Sequence, residues 1–249
     1  MNKGLLSLIV GGLLAGSASG AVEGQQAGLL SRQVSLGKES YSYQVFIPSR
    51  LAGQKNPPVI IFLHGIGQRG TGGFVPTSGA AGAMARHYLE QVPAVILLPQ
   101  CQKGSYWTDS KMDQMVMQEL DQTIAEFGAD RGRVYLTGVS MGGYGAWHLA
   151  SQHEGRFAAI VSICGGSPLQ SGERFAPIAR KVGPTPVWVF HGAEDPVVPV
   201  EESRQMVAAL KANKGSVRYS EYAGVGHNVW LKTLAEKELL PWLLAQRLG

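Results

Sequence analysis

The sequence predicts an α/β fold in which a mostly parallel sheet carries helices on both faces. After Pro58, short continuous apolar runs alternate with longer amphipathic segments, as expected for buried parallel strands joined by helices. Before that point, apolar and polar residues alternate, which predicts antiparallel strands at the N-terminal side of the sheet. No repeat, low-complexity tract or linker divides the chain, so we expect a single folded domain.

The first elements are two strands and a buried third one. Strands are predicted at Gln33–Leu36 and Tyr41–Pro48, on either side of a turn. The run Val59–Leu63 is continuously apolar, which is typical of a strand buried on both faces. The residues near Gly79–Gln91 have a helical pattern, and a helix is predicted there.

The rest of the chain alternates between strands and helices. Further strands are predicted at Val95–Leu98, Val134–Leu136, Phe157–Ile163, Val187–Phe190 and Val217–Tyr222. Helices are predicted at Met112–Phe127, in the segment that follows Ser140, at Val200–Leu210 and at Val229–Gln246, with an interruption near Pro241. The segment between Cys164 and Pro186 is short, so we expect no large lid over the sheet.

The N-terminus has the pattern of a secretory signal peptide. Lys3 precedes an apolar run, Leu5–Ala15, and small residues lead to a cleavage site before Ala21. The alternative is an uncleaved anchor, but the run is shorter than the roughly 20 residues that span a bilayer. We therefore expect a signal peptide at residues 1–20, a domain at residues 21–249 without a stable membrane anchor, and a secreted or periplasmic location.

Composition and charge exclude several classes of protein. The chain has 249 residues, of which 45% are hydrophobic and 16% charged, which argues against a disordered or polytopic membrane protein. The net charge is +4 with Lys and Arg scattered along the chain, so no nucleic-acid partner is expected, although a basic patch formed only on folding stays open. No H-E-x-x-H or C-x-x-C pattern occurs, and neither a metal nor a cofactor is expected. Oligomeric state is not decided by the sequence.

A serine flanked by glycines is the strongest chemical signal in the chain. In TGVSMGGYG, Ser140 lies between Gly138 and Gly142, at the junction of a predicted strand and a predicted helix. A sharp strand-to-helix turn crowds the residues two positions away on either side, and glycine removes the crowding. This is the G-x-S-x-G nucleophile elbow. The alternative is a glycine-rich turn that contains serine by chance.

A nucleophilic serine needs a base, and the base needs an acid that orients it. In this architecture the chain order is serine, acid, histidine. Asp195 follows the strand Val187–Phe190, and the neighbouring Glu194 is the alternative acid. His227 is the only histidine after Asp195, so it is the candidate base.

The reaction of such a serine also requires donors for an oxyanion. The backbone N–H of Met141, directly after Ser140, is one candidate. The second is the N–H of Ile66, in the glycine-rich segment that follows Val59–Leu63. A phosphate-binding loop is excluded there because the G-x-x-x-x-G-K-[ST] pattern is absent. We interpret His64 as a structural residue that holds this loop.

Successive segments of the chain resemble one branch of the α/β-hydrolase superfamily. The segments are IFLHGIGQRG, LLPQCQKGSYW, RVYLTGVSMGGYGAWHLA, FAAIVSICGG, VWVFHGAEDPVVPVEESRQMVAALK and YSEYAGVGHNVW. They are similar, in the same order over residues 58–246, to small single-domain esterases and lipases often labelled "predicted peptidase". That branch is related to phospholipase/carboxylesterases, dienelactone hydrolases and polyhydroxybutyrate depolymerase-like esterases. The resemblance implies the α/β-hydrolase fold.

The resemblance also implies roles for individual residues. It implies Ser140 as nucleophile, Asp195 as acid, His227 as base, and Ile66 with Met141 as oxyanion donors. Dienelactone hydrolases carry cysteine at the nucleophile position, and prolyl oligopeptidases carry a propeller domain. This chain has neither feature, which favours a simple ester substrate.

Four further residues lie near the predicted catalytic edge. Trp107 and Trp230 either contact substrate or pack in the core, and the sequence favours neither. Cys101 and Cys164 follow different strands, and we interpret them as shaping the pocket. If three strand spacings separate them, a disulfide would require bent loops, so their pairing stays open.

The resulting hypothesis is a serine carboxylesterase that acts, through an acyl-enzyme, on small-molecule or polymer-attached esters. A peptidase that acts on short peptides is the alternative within enzymes. A non-catalytic binding protein on a hydrolase scaffold is the alternative outside them. Rates on matched esters and amides separate the first two, and labelling of Ser140 by a fluorophosphonate separates the third.

Overall fold

The computed structural model describes residues 27–51, 54–73 and 91–249. Eight strands lie in these ranges: β1 Gly28–Leu36, β2 Glu39–Ile47, β3 Val59–Leu63, β4 Val95–Leu98, β5 Val134–Val139, β6 Ala159–Ile163, β7 Val187–Gly192 and β8 Val217–Tyr222. The α-helices are α1 Ser110–Phe127, α2 Met141–Gln152, α3 Ala176–Val182, α4 Glu201–Ala212, α5 Trp230–Leu234 and α6 Leu239–Ala245.

The strands form one sheet in the order β1-β2-β4-β3-β5-β6-β7-β8. The pairs β1·β2 and β2·β4 are antiparallel, and every pair from β4 to β8 is parallel. A mostly parallel sheet with antiparallel N-terminal strands is therefore confirmed. The carboxyl ends of β3, β5, β6, β7 and β8 meet at one edge, where ligands bind in open α/β sheets.

Two apolar clusters cover the two faces of the sheet. In β3, Val59, Ile61 and Leu63 pack into the cluster under α1, α2, α3 and α4, and Ile60 and Phe62 pack into the cluster under α5 and α6. Successive side chains of a strand point to opposite faces, so a continuous apolar run fits a strand covered on both sides. The prediction of helices on both faces is confirmed.

The helix predicted at Val229–Gln246 is two helices, α5 and α6, and the break between them lies before the interruption predicted near Pro241. The break lies at residues 235–238, between α5 and α6, and Pro241 is the third residue of α6. Proline is tolerated in the first turn of a helix because the N–H groups there have no partner within the helix. The break therefore comes before Pro241.

Other boundaries shift by a few residues. β1 begins at Gly28, five residues before the predicted start, and α1 ends, as predicted, where Gly128 adopts a left-handed conformation with φ +58°. The helix predicted near Gly79–Gln91 falls, apart from its last residue, outside the described residues, as does the signal peptide predicted at residues 1–20. Among the helices that the structure describes, none is both long and apolar enough to span a membrane.

Candidate active site

Ser140 occupies the turn between β5 and α2 in a conformation that few side chains adopt. Its backbone has φ +57° and ψ −119°. The Ser140 N–H donates to the carbonyl of Ile163 at 2.9 Å, and the Ser140 carbonyl accepts from the N–H of Gly143 at 2.7 Å. A non-glycine residue held at positive φ by its surroundings often marks a functional position.

The glycines around Ser140 are required by close backbone contacts. A Cβ on Gly138 would lie 2.0 Å from the carbonyl oxygen of Gly142, and a Cβ on Gly142 would lie 2.0 Å from that of Leu63. No side chain fits at either distance. The glycines therefore let the elbow fold back on itself and approach the end of β3.

His227 joins Ser140 to Asp195. Its Nδ1 lies 2.7 Å from Asp195 Oδ2, and its Nε2 lies 2.9 Å from Ser140 Oγ. An ionised carboxylate only accepts hydrogen bonds, so Nδ1 carries the proton and Nε2 accepts from the serine hydroxyl. The structure thus brings together the three side chains that the chain order had named.

The Asp195 carboxylate is buried and has donors on both oxygens. Oδ1 accepts from the N–H groups of Val197 at 2.8 Å and Val198 at 2.9 Å, while Oδ2 accepts from His227. Burial alone would raise the pKa of Asp195, but the hydrogen bonds from His227 and the two amides outweigh burial and lower it. Glu194, the alternative acid, is exposed.

A second histidine, His191, also faces Asp195, and the sequence pattern had not indicated that it belongs to the site. It is fully buried at the end of β7, and its Nε2 lies 2.9 Å from the carbonyl of Val198 and 3.3 Å from Asp195 Oδ2. Its Nδ1 lies 2.7 Å from the Ser203 hydroxyl. Since a carbonyl only accepts, Nε2 carries the proton and Nδ1 accepts from Ser203. His191 lies at the end of β7 and Asp195 in the loop that follows, so the i, i+4 spacing, which places side chains together only on a helix, did not signal this contact.

The loop that carries His227 packs directly on the end of β7. A Cβ on Gly192 would lie 2.3 Å from the carbonyl oxygen of Val225, so only glycine permits this approach. The N–H of Glu194 donates to the same carbonyl at 3.0 Å. The loop that carries Asp195 and the loop that carries His227 therefore pack against each other and hold both side chains in place.

The two predicted oxyanion donors lie on the same side of Ser140. Ile66 and Met141 line one cavity together with Ser140, and a Cβ on Gly65 would lie 3.7 Å from Ser140 Cβ. Met141 is the first residue of the twelve-residue α2, whose N-terminal end carries a partial positive charge. Both backbone segments therefore adjoin the space in front of the serine hydroxyl.

His64 holds the loop that carries Ile66. Its Nδ1 donates to the Gly65 carbonyl at 2.7 Å, and its Nε2 accepts from the N–H of Cys101 at 3.1 Å. Burial lowers the pKa of His64 to about 4, so the ring is neutral at neutral pH. These contacts fit the structural role that the sequence suggested.

The cavity in front of Ser140 has a volume of about 410 Å³. Trp107 lines it and is also part of the core, since the side chain is buried and its Nε1 donates to the His64 carbonyl at 2.9 Å. Trp230 is not among the residues that line the cavity; its ring lies edge-on to His227 at 6.0 Å between centroids. Tyr106, Tyr144 and Val197 also line the cavity, and no motif had singled them out.

Both cysteines are buried and free. Within the described ranges, Cys164, Asp195 and His227 place potential metal-ligand atoms within 4.8 Å of one another. Burial raises the pKa of the Cys164 thiol to about 12, and the other two side chains bind each other. His227 contacts both Ser140 Oγ and Asp195 Oδ2, so two members of this group take part in the hydrogen-bonded chain from Ser140.

Residues 97–238, more than half of the chain, match the phospholipase/carboxylesterase family. The chain belongs to this family. A thermostable esterase of known structure is 32% identical to it, with a TM-score of 0.77 over 88% of this chain and 63% of the esterase. The chain therefore has the α/β-hydrolase fold and belongs to a family of esterase-type hydrolases, as the resemblance had predicted.

Two curated relatives match the chain over parts of their length. A bifunctional acetylxylan esterase/xylanase from Neocallimastix patriciarum is 30% identical over 157 residues, which are 62% of this chain and 21% of the relative. Acyl-protein thioesterase 1 from Gibberella zeae is 29% identical over 131 residues, 51% of this chain and 55% of the relative. The chain thus spans about a fifth and about half of these two relatives.

Proposed function

We propose that the protein is a serine carboxylesterase with Ser140 as nucleophile, His227 as general base and acid, and Asp195 as the residue that orients His227. One observation carries the proposal: His227 lies within hydrogen-bond distance of both Ser140 Oγ and Asp195 Oδ2. A base must lie within about 3.2 Å of the proton that it removes. The strained elbow, which points the serine at the cavity, supports the same assignment.

In the first half of the reaction, Ser140 Oγ attacks the ester carbonyl carbon while its proton moves to His227 Nε2. The tetrahedral intermediate collapses, its bond to the leaving alcohol breaks, and the alcohol takes the proton from His227. In the second half, His227 removes a proton from water, which attacks the acyl-enzyme. The carboxylic acid leaves, and Ser140 regains its proton.

The backbone groups of Ile66 and Met141 stabilise the oxyanion in this proposal. Negative charge develops on the carbonyl oxygen during each attack, and fixed N–H donors in a water-poor cavity stabilise it. The position of Met141 at the N-terminal end of α2 adds the favourable end of the helix dipole. His64 acts indirectly, because it holds the loop that carries Ile66.

An ester is the preferred substrate class. The support is the 32% identity to a thermostable esterase, and both curated relatives described above carry esterase or thioesterase in their names. Amide turnover on matched peptide anilides that equals ester turnover would favour a peptidase instead.

The test compares Ser140→Ala with Ser35→Ala, which alters an exposed serine on β1. Hydrolysis of p-nitrophenyl acetate should fall by at least about a thousandfold in Ser140→Ala, because its nucleophile is gone. Ser35→Ala should match the parent, and thermal unfolding should show that both variants fold. Retention of activity in a folded Ser140→Ala protein would contradict the proposal.

A further inference from the structure

His191 is a fully buried polar side chain beside Asp195, and the reaction described above does not use it. It lies at the end of β7, a strand that is paired on both sides, and it faces the loop that carries Asp195. Its Nε2 lies 2.9 Å from the carbonyl of Val198 and 3.3 Å from Asp195 Oδ2. A buried polar group costs free energy unless it has partners, so the partners of His191 indicate its role.

Those partners fix the tautomer of the His191 ring. The Ser203 hydroxyl lies 2.7 Å from His191 Nδ1 and 3.4 Å from the carbonyl of Gly165, so its single proton goes to the closer acceptor, Nδ1. The proton of the ring is then on Nε2, which faces a carbonyl and a carboxylate oxygen. The opposite tautomer would set a bare Nε2 against both of these acceptors. Burial lowers the pKa of His191, which keeps the ring neutral at neutral pH.

The loop that carries Asp195 is held mainly from its inner side. Pro196 and Val197 are exposed, whereas Asp195 and Val198 are buried. The N–H of Val198 donates to Asp195 Oδ1 at 2.9 Å, and the carbonyl of Val198 accepts from His191. One imidazole N–H therefore faces Asp195 Oδ2 and also anchors the residue that holds Oδ1.

We propose that His191 is a positioning residue that keeps the Asp195 carboxylate directed at His227. The inference rests on the proposed function, since this direction matters for the rate only if His227 transfers protons. Asp195 Oδ2 accepts from His227 Nδ1 at 2.7 Å, and the contacts of His191 oppose rotation of the carboxylate away from that hydrogen bond. Catalytic groups work when the residues behind them hold them within about 0.5 Å of the productive geometry.

A pair of substitutions separates the N–H donor of His191 from its other contacts. Glutamine places an amide N–H near the position of Nε2, from which it can donate to Val198 and Asp195. Asparagine is one carbon shorter, so its amide lies near the position of Nδ1 beside Ser203 and does not reach Asp195. The turnover of p-nitrophenyl acetate measures the effect of each substitution.

In His191→Asn, kcat should fall about tenfold to a hundredfold, the range expected for loss of a hydrogen bond at a charged group. His191→Gln should recover most of this loss and remain within about threefold of the parent. KM should change by less than about threefold in both variants, because His227 takes part in both halves of the reaction and neither substitution alters the cavity in front of Ser140.

Two further variants control for volume and for the loss of any histidine. His191→Phe fills the volume of the ring without a donor, so its kcat should fall as in His191→Asn. His153→Asn alters another histidine–aspartate pair, in which His153 Nε2 lies 2.8 Å from Asp113 Oδ1, beyond the end of α2 opposite to Ser140. This variant should keep kcat within about twofold of the parent. Thermal unfolding identifies the variants that fold.

A measurement on the parent protein does not depend on the folding of any variant. ¹⁵N NMR of the His191 ring should show a proton on Nε2 and none on Nδ1. A proton on Nδ1 with a bare Nε2 would overturn the inference, because the ring could then donate neither to Val198 nor to Asp195.

The outcomes separate this inference from the proposed function. A kcat equal to that of the parent in folded His191→Asn or His191→Phe, or an equal loss in His191→Gln and His191→Asn, would overturn the inference and leave the serine-esterase assignment standing. Hydrolysis of no ester by the folded parent would instead overturn the assignment of the function, and the role of His191 with it.

Discussion

Replacement of Gly142 by alanine should damage the site through one identifiable contact. The new Cβ would lie 2.0 Å from the Leu63 carbonyl oxygen and 3.0 Å from that of His64. Real Cβ atoms essentially never come within 3.0 Å of such a neighbour, so α2 and the end of β3 must separate by at least about 1 Å. That movement would displace both Ser140 and the loop that carries Ile66.

The expected effects on catalysis and on stability are similar in free energy, because a 100-fold loss of rate corresponds to about 2.7 kcal/mol. A displacement of about 1 Å in a reacting group can reduce the rate by on the order of 100-fold. Overpacking of this kind destabilises a protein by typically about 1–3 kcal/mol. We therefore expect kcat/KM on p-nitrophenyl acetate to fall about 100-fold in Gly142→Ala, with the fold retained in thermal unfolding.

Gly67→Ala is the matched control. A Cβ on Gly67, in the neighbouring loop, would meet nothing within 4 Å. This variant should keep kcat/KM within about twofold of the parent. If Gly142→Ala also retains full activity, the contact between the elbow and β3 does not position the reacting groups, and the reasoning is refuted.

Three further predictions concern buried ionisable groups. Burial lowers the pKa of His64 from 6.5 to about 4, so the unfolded chain binds the proton first as the pH falls. The protonation of His64 should lower the free energy of unfolding by about 3 kcal/mol between pH 6.5 and pH 4. In His64→Gln, the free energy of unfolding should therefore decline less steeply with falling pH. If urea titrations show the same decline in this variant as in the parent, His64 is not its cause. Burial raises the pKa of Glu119 well above 4.5, and its carboxylate oxygens have no hydrogen-bond partner among the described residues. The contribution of Glu119 to stability is thus lost as the pH rises above 4.5. The Tm of Glu119→Gln should therefore exceed that of the parent at pH 8 and equal it near pH 4. The same difference in Tm between variant and parent at both pH values would contradict the prediction. Asp195→Asn should reduce kcat by about 10⁴-fold at pH 7 because an amide that donates towards His227 Nδ1 favours the wrong tautomer, and a loss below about tenfold would argue that Asp195 does not orient His227.

The parts of the site that depend on local pattern could be predicted from the sequence. The strand, the glycines and the serine lie within a few residues of one another, so the strained turn at Ser140 is visible locally. Asp195 and His227 are distant from it, but chain order together with the ends of parallel strands left few choices. The structure places the three side chains in contact, and their chemical roles are the proposal that remains to be tested.

The walls of the cavity could not be predicted in the same way. Tyr106 and Val197 lie in loops whose paths depend on contacts far along the chain, such as the Arg69 guanidinium over the Tyr106 ring at 5.4 Å. Trp230 shows the same limit: the sequence left both the cleft and the core open, and the side chain packs against the His227 ring and an apolar cluster. Hydrophobic periodicity indicates which face of a helix or strand is buried, but it does not indicate the path of a loop.

The most direct test of the central claim is the position of a covalent adduct. Folded protein is treated with a fluorophosphonate probe, digested and mapped by mass spectrometry, with His227→Ala as the comparison. We predict stoichiometric labelling on the peptide that contains Ser140, and labelling slowed by at least about a hundredfold when the base is removed. Absence of an adduct at Ser140 in the folded parent protein, or equal labelling in His227→Ala, would contradict the account.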